Sequence, residues 1–433
     1  MDRETVQLGQ EMHRLVAELY PMPRSITGDG VRQTLAKVRE RVPLEIHEVP
    51  SGTKVFDWTV PDEWNVREAY VAKSAGERVI DFRRHNLHLV GYSTPVRGRM
   101  SLAELRPHLH SLPDRPDVIP YRTSYYKPSW GFCLSHRQLE SLPEGEYEVV
   151  IDATLKPGSL TYGELLLPGR LKDEILLSAH VCHPSLANDN LSGIVVLTFL
   201  AAELSKRSLK QSVRFVFAPG TIGAITWLAK NEREARRVRH GLVVAGVGDE
   251  GGFTYKRSRR GDAVIDRAAS HVLGASGRVI DFTPYGYDER QYCSPGFDLP
   301  VGLFMRSLHG TFPEYHTSAD DLSFVKPEKL EEAYRAILSV IEVLERNGTF
   351  VNLNPKCEPQ LGRRGLYEGL SGRASPREFE MAMLWVLNLS DGGYDLLRIA
   401  ERSGLAFGVV ADAADALVKA GLLRETGVHA WKT

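Results

Sequence analysis

The chain has 433 residues, 54 Lys and Arg against 55 Asp and Glu, and 42% hydrophobic residues. This composition is that of an ordinary globular protein and excludes a wholly disordered chain. The formal net charge of -1 gives no strongly basic surface, so we expect no nucleic-acid partner.

The sequence also predicts no membrane span. The longest apolar run, GIVVLTFLAA at residues 193–202, falls well short of the roughly 20 residues that cross a bilayer. The N-terminus is charged and lacks the apolar core of a signal peptide. The four cysteines are spread singly without a CxxC pair, which indicates reduced thiols. We therefore expect a cytoplasmic protein that does not contact a membrane.

The first third of the sequence predicts helices and then a β-rich region. Apolar side chains recur at helical intervals over residues 4–20, where prolines end the helix, and a second helix is predicted at residues 30–41. From residue 44 to residue 155 the pattern changes to short β-like runs that are broken by Gly and Pro. We interpret residues 44–155 as an inserted β-rich domain.

The middle of the sequence alternates apolar runs with helical ones. ILLSAHV, VRFVFAP and GLVVAGV are typical of buried strands, and amphipathic segments lie between them. Residues 156–350, together with residues 1–43, therefore predict an α/β domain whose mostly parallel sheet carries helices on both faces. Ligands bind at the carboxyl ends of such strands, so the loops after these three runs are the candidate site.

The end of the sequence predicts a separate module. Residues 352–375 are rich in Gly, Pro and polar residues and indicate a linker, and residues 375–433 predict three helices followed by a hairpin at VHAWKT. Three helices and a hairpin are the winged-helix arrangement. The third helix, FGVVADAADALVKAGLL, is a poor surface for a phosphate backbone. We therefore expect this module to contact protein, which would allow a homo-oligomer to form through it.

Candidate metal ligands follow the predicted strands. In LSAHVCHPSLANDNLSG, His180 ends a strand and Asp189 lies in a polar loop just before a helix. Imidazole and carboxylate are both ligand types that zinc accepts. Further polar loops hold Asp249, Asp288 and His316. A hydrogen-bonded structural histidine is the alternative interpretation.

These segments resemble motifs of the co-catalytic zinc aminopeptidases. AHVCHPSLANDNLSG is similar to their AHxD…GANDNxSG signature, YDERQY to their SDHxxF segment, and YHTSADD to their HTxxD motif. The whole chain, including YPMPRSITGDGVRQTL and IPYRTSYYKPSWGFC, also resembles a bacterial aminopeptidase-like family of unassigned function. The resemblance implies a phosphorylase/hydrolase-like α/β fold with a β-rich insertion and a winged helix. It also implies an association with polysaccharide or natural-product biosynthesis.

The resemblance implies a set of metal ligands as well. His180 and His316 would each serve one metal position, and Asp189 would lie between the two positions. In the aminopeptidases a further aspartate follows the third strand; its direct match here is Ala245, and Asp249 is the nearest candidate.

The largest departure from the aminopeptidase pattern lies in APGTIG, residues 218–223. The aminopeptidases carry two adjacent glutamates there, a general base and a metal ligand, whereas this chain has Gly220 and Thr221. A hydroxyl is a poor substitute for a carboxylate ligand, so we expect about one zinc per chain. Loss of a general base costs a factor of about 100 to 10,000 in rate. We therefore expect slow hydrolysis of aminoacyl anilides, which Gly220→Glu should raise if the rest of the site is intact.

Three functional interpretations fit this departure. The first is a single-zinc hydrolase that acts on an amide bond or an amino-acid-derived small molecule. The second is a non-hydrolytic enzyme of acyl transfer, cyclisation or condensation, and the third is an inert scaffold that binds a ligand or partner. The retained histidines and aspartate argue against inertness, and we predict the hydrolase-like enzyme. The candidates for its base are Asp288, Glu289, Glu250 and His183.

Predicted substrate contacts lie in the aromatic and basic segment YRTSYYKPSWGF, residues 121–132. Its Arg122, Tyr125 and Lys127 suit a pocket that stacks on a ring and pairs with an anion. Packing between the β-rich and α/β regions is an equally good explanation. Arg290 and Tyr315 complete the predicted contacts to a small-molecule or peptide-like substrate, and a structural ion pair is the alternative for Arg290.

Overall fold

A computed structural model describes residues 3–367 and 375–426 of the chain. The chain divides into two compact units, residues 1–266 with 273–336 and residues 267–272 with 337–433. The predicted hairpin at VHAWKT, residues 428–433, lies outside the described residues.

The helices are bounded as follows: α1 (Arg3–Leu19), α2 (Asp29–Arg39), α3 (Leu102–Leu105), α4 (His136–Glu140), α5 (Gly193–Leu204), α6 (Ile222–Lys230), α7 (Glu232–Ala235), α8 (Val264–Leu273), α9 (Glu289–Tyr292), α10 (Pro327–Arg346), α11 (Pro376–Leu389), α12 (Leu396–Ser403) and α13 (Phe407–Lys419). The strands are β1 (Glu45–Pro50), β2 (Lys54–Val55), β3 (Trp58–Thr59), β4 (Glu63–Lys73), β5 (Arg78–Asp81), β6 (Val96–Ser101), β7 (Leu109–His110), β8 (Phe132–Cys133), β9 (Glu146–Lys156), β10 (Ser159–Leu167), β11 (Glu174–His180), β12 (Ser212–Ala218), β13 (Val238–Val244), β14 (Thr254–Lys256), β15 (Arg278–Ile280), β16 (Val301–Met305), β17 (Thr349–Asn352), β18 (Asp391–Asp395) and β19 (Leu423–Glu425).

A mixed eight-stranded sheet organises the first unit, in the order β1-β10-β12-β11-β13-β16-β14-β15. Its four central strands, β12, β11, β13 and β16, are parallel, and antiparallel pairs extend the sheet on both sides. Every residue of β11 and β12 is buried, as expected for strands covered on both faces. The predicted α/β fold class is confirmed, with parallel strands at the centre of the sheet and antiparallel ones towards its edges.

A second, antiparallel sheet of β5, β4, β9 and β6 lies within the stretch predicted as a β-rich insertion. The strand β1, residues 45–50, is also in that predicted stretch, but it pairs with β10 at the edge of the large sheet. By strand pairing, this segment therefore belongs with the α/β sheet, because its backbone hydrogen bonds are made there.

The second unit combines helices α11 to α13 with a small antiparallel sheet of β18, β17 and β19. Its strand β17 begins at residue 349, ahead of the predicted module start at residue 375. Two acidic side chains of α13, Asp412 and Asp415, lie 2.8 and 2.9 Å from the Arg346 guanidinium. The acidic character of the third helix is therefore used in ion pairs within this unit.

Within the two described stretches of the chain, no helix combines the length and the apolar character that a bilayer crossing requires.

A buried ion network ties the large sheet together. Arg214 of β12 donates at 2.6 and 3.0 Å to the two carboxylate oxygens of Glu174 and also binds Glu164, which accepts from Trp227 Nε1 at 2.9 Å. Arg214→Met leaves two buried carboxylates without their cation. We expect this change to lower the free energy of unfolding by about 3–5 kcal/mol.

Urea denaturation of the Arg214→Met variant measures this loss. The matched control is Arg67→Met, since Arg67 is also a strand arginine paired with an acid, Asp152, but its side chain is 81% exposed. A surface pair contributes about 0–1 kcal/mol. Equal losses in the two variants would show that burial of the Arg214 network adds nothing.

Candidate functional site

The candidate site forms where the central parallel strands end. His180 is the last residue of β11, Gly220 follows β12 by two residues, Asp249 follows β13, and His316 lies in the loop after β16. Because the carboxyl ends of parallel strands meet at one edge of a sheet, their following loops are brought together there.

A buried, kinked turn, Ala187–Ser192, positions the aspartate of the site. The Asp320 carboxylate accepts from the backbone N–H of Asn188 at 2.6 Å and of Asp189 at 3.0 Å. The Asn190 amide donates to the Val244 carbonyl at 2.9 Å, and its oxygen accepts from two backbone N–H groups. These contacts anchor the turn between β13 and the loop that carries His316.

The Asp189 carboxylate joins two histidines. Its Oδ1 lies 2.7 Å from His180 Nε2, and its Oδ2 lies 2.9 Å from His316 Nε2. His183 adds a third imidazole: ligand atoms of His180, His183 and Asp189 all lie within 4.8 Å of one another. The structure therefore brings together three of the four ligands predicted from the sequence, His180, Asp189 and His316, and this cluster could hold a metal ion.

The charges of the cluster suit a metal cation. Burial by itself would raise the pKa of Asp189, but the nearby His183 and the hydrogen bonds with His180 and His316 hold that pKa well below its usual range. Burial lowers the pKa of His180 and lowers that of His183 well below its usual value. At neutral pH Asp189 is thus a carboxylate, and the buried imidazoles of His180 and His183 are neutral. These are the forms that bind zinc.

Three tyrosine rings surround the cluster. Tyr287 lies over His180 with ring centroids 3.7 Å apart, and Tyr315 stacks on His316 at 3.9 Å. The ring of Tyr121 lies 5.0 Å from His183 and 5.2 Å from His316. The His316 side chain is 32% exposed and is much more open to solvent than Asp189 or His180. A ligand therefore reaches the cluster from the direction of His316.

The space beside Gly220 is filled by Tyr287. A Cβ atom at position 220 would lie only 2.3 Å from Tyr287 Cε1 and 2.7 Å from its hydroxyl oxygen. That hydroxyl lies 3.6 Å from Cys182 Sγ, which also accepts from the Gly220 backbone N–H at 3.3 Å. Burial raises the pKa of the Cys182 thiol to about 12, so the thiol stays neutral. An aromatic ring therefore occupies the place of the side chain that Gly220 lacks.

The two predicted catalytic carboxylates lie just after Tyr287 but have different surroundings. Glu289 pairs with Lys256 at 2.5 Å, both side chains being buried, and accepts from the Tyr287 backbone N–H at 2.9 Å. In this arrangement Glu289 holds the loop of Tyr287 in place. Neither carboxyl oxygen of Asp288 has a hydrogen-bond partner among the described residues. Burial, followed by the charge of Glu289, raises the pKa of Asp288 well above its usual range.

Asp249, the fourth predicted ligand, supports the kinked turn at Ala187–Ser192. Its carboxylate accepts from Asn188 Nδ2 at 2.9 Å and from the Ser307 hydroxyl and the Gly251 N–H at 2.7 Å each. The ligand atoms that lie within 4.8 Å of one another belong to His180, His183 and Asp189, and the group includes neither Asp249 nor His316. Its role as a ligand stays a prediction.

The predicted substrate contacts divide into two groups. Tyr315 stacks on His316, and the Tyr125 hydroxyl lies 3.1 Å from that of Tyr121, so both adjoin the cluster. Arg122 and Lys127 are exposed, whereas Arg290 is half-buried with a buried Nε that has no hydrogen-bond partner among the described residues.

Sequence reasoning missed His309 and the position of Tyr287. The ring of His309 lies 5.9 Å from Tyr315 and 6.1 Å from Tyr287, and burial lowers its pKa. Its Nε2 is buried and has no hydrogen-bond partner among the described residues. His309 lies in no motif, so the only available signal was its place in the loop between β16 and His316.

Solved structures show which proteins share this fold. The zinc aminopeptidase BSAP from Bacillus subtilis aligns with a TM-score of 0.55, over 77% of this chain and 94% of that one, at 14% sequence identity. At this identity the likeness shows the fold alone. The chain therefore has the mixed α/β fold of the zinc aminopeptidases, with a C-terminal winged-helix domain.

The chain belongs to the aminopeptidase-like family described as "Domain of unknown function (DUF4910)", which matches residues 13–347. Residues 348–425 match a winged helix-turn-helix family. A relative from Clostridium acetobutylicum is 52% identical over 421 residues, which is 96% of this chain and 97% of that protein. It is named "Putative polysaccharide biosynthesis protein with aminopeptidase-like domain". A crystal structure of a candidate peptidase from the same organism has a TM-score of 0.93 at 51% identity, covering 98% of each chain.

Proposed function

We propose that the chain is a zinc-dependent enzyme that acts on an amide bond or an amino-acid-derived small molecule in a biosynthetic pathway. The observation that carries this proposal is the Asp189 carboxylate, which contacts His180 with one oxygen and His316 with the other. Helix and sheet packing do not require such a buried group at the end of β11. The name of the relative from C. acetobutylicum supports the biosynthetic setting.

The donor set fits zinc. His180, Asp189 and His316 would hold one ion, with His183 as an adjacent fourth donor, and nitrogen and carboxylate oxygen are both common zinc ligands. A bound zinc ion would supply Lewis-acid chemistry. The second nitrogen of His180 has an unusual partner for a metal-binding histidine. His180 Nδ1 lies 3.3 Å from the amide nitrogen of Asn190, whereas metal-binding histidines usually donate their second N–H to an acceptor.

The residues of the chain itself determine how water and protons are handled. Tyr287 fills the space beside Gly220, so a carboxylate side chain at this position would have to displace the ring. Glu289 is ion-paired with Lys256, and burial, which raises the pKa of Asp288, disfavours the carboxylate form of that group, so neither suits the role of base. Burial lowers the pKa of His183 and of His309, so each is neutral and can accept a proton when it holds no metal. We therefore propose slow hydrolysis.

One observation favours a second candidate function. The Tyr287 ring lies at the position of the missing base, so the site lacks a group that would activate water there. This suits an acyl transfer, cyclisation or condensation, in which hydrolysis is a side reaction. The two candidates share the cluster and differ in the group that attacks the carbonyl.

The two candidates can be separated by their products. Zinc-loaded and chelator-treated protein is incubated with aminoacyl anilides and with amino-acid amides plus an added amine, and the products are identified by mass spectrometry. Zinc-dependent release of free acid supports the hydrolase, and zinc-dependent new amides or cyclised products support the second candidate. His136→Gln, which changes a half-buried histidine outside the cluster that bonds to Ser111, is the control. Absence of any product from protein that holds zinc contradicts both.

A further inference from the structure

A separate cavity of about 640 Å³ lies in the first unit, away from the histidine cluster. The turn between β2 and β3, helices α6 and α7, and the segment after α9 contribute to its walls. None of His180, His183, Asp189 and His316 is among the lining residues that the structure describes. Its volume falls in the range of small-molecule sites, about 300–1,000 Å³.

Aromatic rings are unusually exposed at this cavity. Phe56 and Trp58 line it and are 51% and 45% exposed, and the Phe56 ring packs edge to face on the ring of Phe297, another lining residue, at 5.7 Å. Just outside, Tyr126 is 52% exposed and lies 5.5 Å from Trp58. Grouped exposed apolar side chains mark binding surfaces more often than scattered ones do. A ligand that covers these rings would remove that area from water.

The two-residue turn between β2 and β3 accounts for the backbone conformation of Phe56. Its φ angle of +56° is in the left-handed region, which hairpin turns of this length require. The turn places the Phe56 ring at the surface of the cavity.

The polar lining suits a neutral ligand with many hydroxyl groups. Asp57, Glu232 and Arg236 line the cavity together with Gln291, and Arg236 makes no ion pair within residues 3–367 and 375–426. Two further lining arginines have acidic partners: Arg239 pairs with Asp173, and Arg260 shares Asp298 with Arg259. Carboxylates and a guanidinium side by side disfavour a strongly charged ligand, but they both accept from and donate to hydroxyls.

We propose that this cavity binds a neutral carbohydrate, with sugar rings packed on Phe56, Trp58 and Phe297 and their hydroxyls bound by Asp57, Glu232 and Arg236. A sugar ring has an apolar C–H face and a rim of hydroxyls, which matches aromatic walls with planar polar groups between them. Tyr126 beside Trp58 extends the aromatic surface beyond the cavity, so the ligand is longer than one sugar. This inference goes beyond the proposed function and does not depend on zinc.

Binding of cellobiose, maltose and chitobiose, followed by tryptophan fluorescence and by saturation-transfer NMR, tests the proposal. We expect saturable binding of at least one of them at millimolar or lower concentration. Trp58→Ala and Arg236→Gln should each weaken it about tenfold or more. Arg233→Gln is the matched control, since Arg233 is exposed in the same short helix and does not line the cavity. Zinc content and the unfolding midpoint should be unchanged in all three variants.

Three outcomes overturn the proposal. The first is no binding of any of the three disaccharides by a folded protein. The second is binding that Trp58→Ala and Arg236→Gln leave unaltered, or tighter binding of glucuronate than of neutral sugars. The third is a change in sedimentation mass on Trp58→Ala without a change in sugar binding, which would assign the aromatic surface to contact between copies of the chain.

Discussion

Replacing Asp189 by asparagine should abolish zinc binding while leaving the fold intact. The amide keeps the shape of the carboxylate and can still accept a hydrogen bond, but it removes the charge that His180 and His316 share. Changes to outer partners of metal ligands already cost 10–100-fold in affinity, so loss of the shared ligand should cost more than about 100-fold. The zinc content of the purified protein should fall from about one per chain to a trace.

Elemental analysis of protein purified without added metal or chelator measures this effect. Asp249→Asn is the informative comparison, because sequence reasoning makes Asp249 a ligand whereas its carboxylate binds Asn188, Gly251 and Ser307 in the structure. We expect that variant to keep its zinc. His136→Gln controls for nonspecific loss. Zinc retained in Asp189→Asn would place the metal site elsewhere.

Gly220→Glu by itself should not produce an active hydrolase, whereas Gly220→Glu combined with Tyr287→Ala should. The sequence alone leads to the expectation that the single change raises the rate. The structure revises it, because the new side chain would meet the Tyr287 ring from its first carbon atom, 2.3 Å away. Overpacking of this kind costs about 1–3 kcal/mol of stability. With the ring removed, a carboxylate can enter, and a general base contributes about 100- to 10,000-fold in rate.

A double-mutant cycle tests this prediction. It compares kcat/KM for an aminoacyl anilide in the unmodified protein, the two single variants and the double variant. We expect kcat/KM of the double variant to exceed the product of the single effects, because the two positions share one space. Tyr287→Ala alone is the matched control for opening that space. A single Gly220→Glu variant as fast as the double one would show that Tyr287 does not block the position. No gain in the double variant, with zinc still bound, would show that the missing base is not what limits hydrolysis.

Much of the fold and half of the site could be predicted from local sequence patterns. Short apolar runs such as ILLSAHV are typical of strands buried on both faces, and their alternation with helical segments implies parallel strands at the centre of the sheet. His180, Asp189 and His316 were predicted because they lie in polar segments at or beyond the ends of strands and because these segments resemble the metal-binding motifs of the zinc aminopeptidases. The sequence also shows that no carboxylate base is present at position 220, since the identity of that one residue, glycine, decides this.

Other features depend on contacts between segments that are distant in the chain, so only the tertiary structure decided them. Tyr287 and Gly220 are 67 positions apart in the numbering, and neither segment indicates that the ring of one fills the space beside the other. The same holds for the pairing of Glu289 with Lys256, which changes a candidate base into a buried ion pair. A sequence determines which chemical groups are available and where each strand ends. Burial and the identity of the neighbouring side chain determine whether a carboxyl is a ligand, a base or a structural anchor, and both are properties of the packed chain.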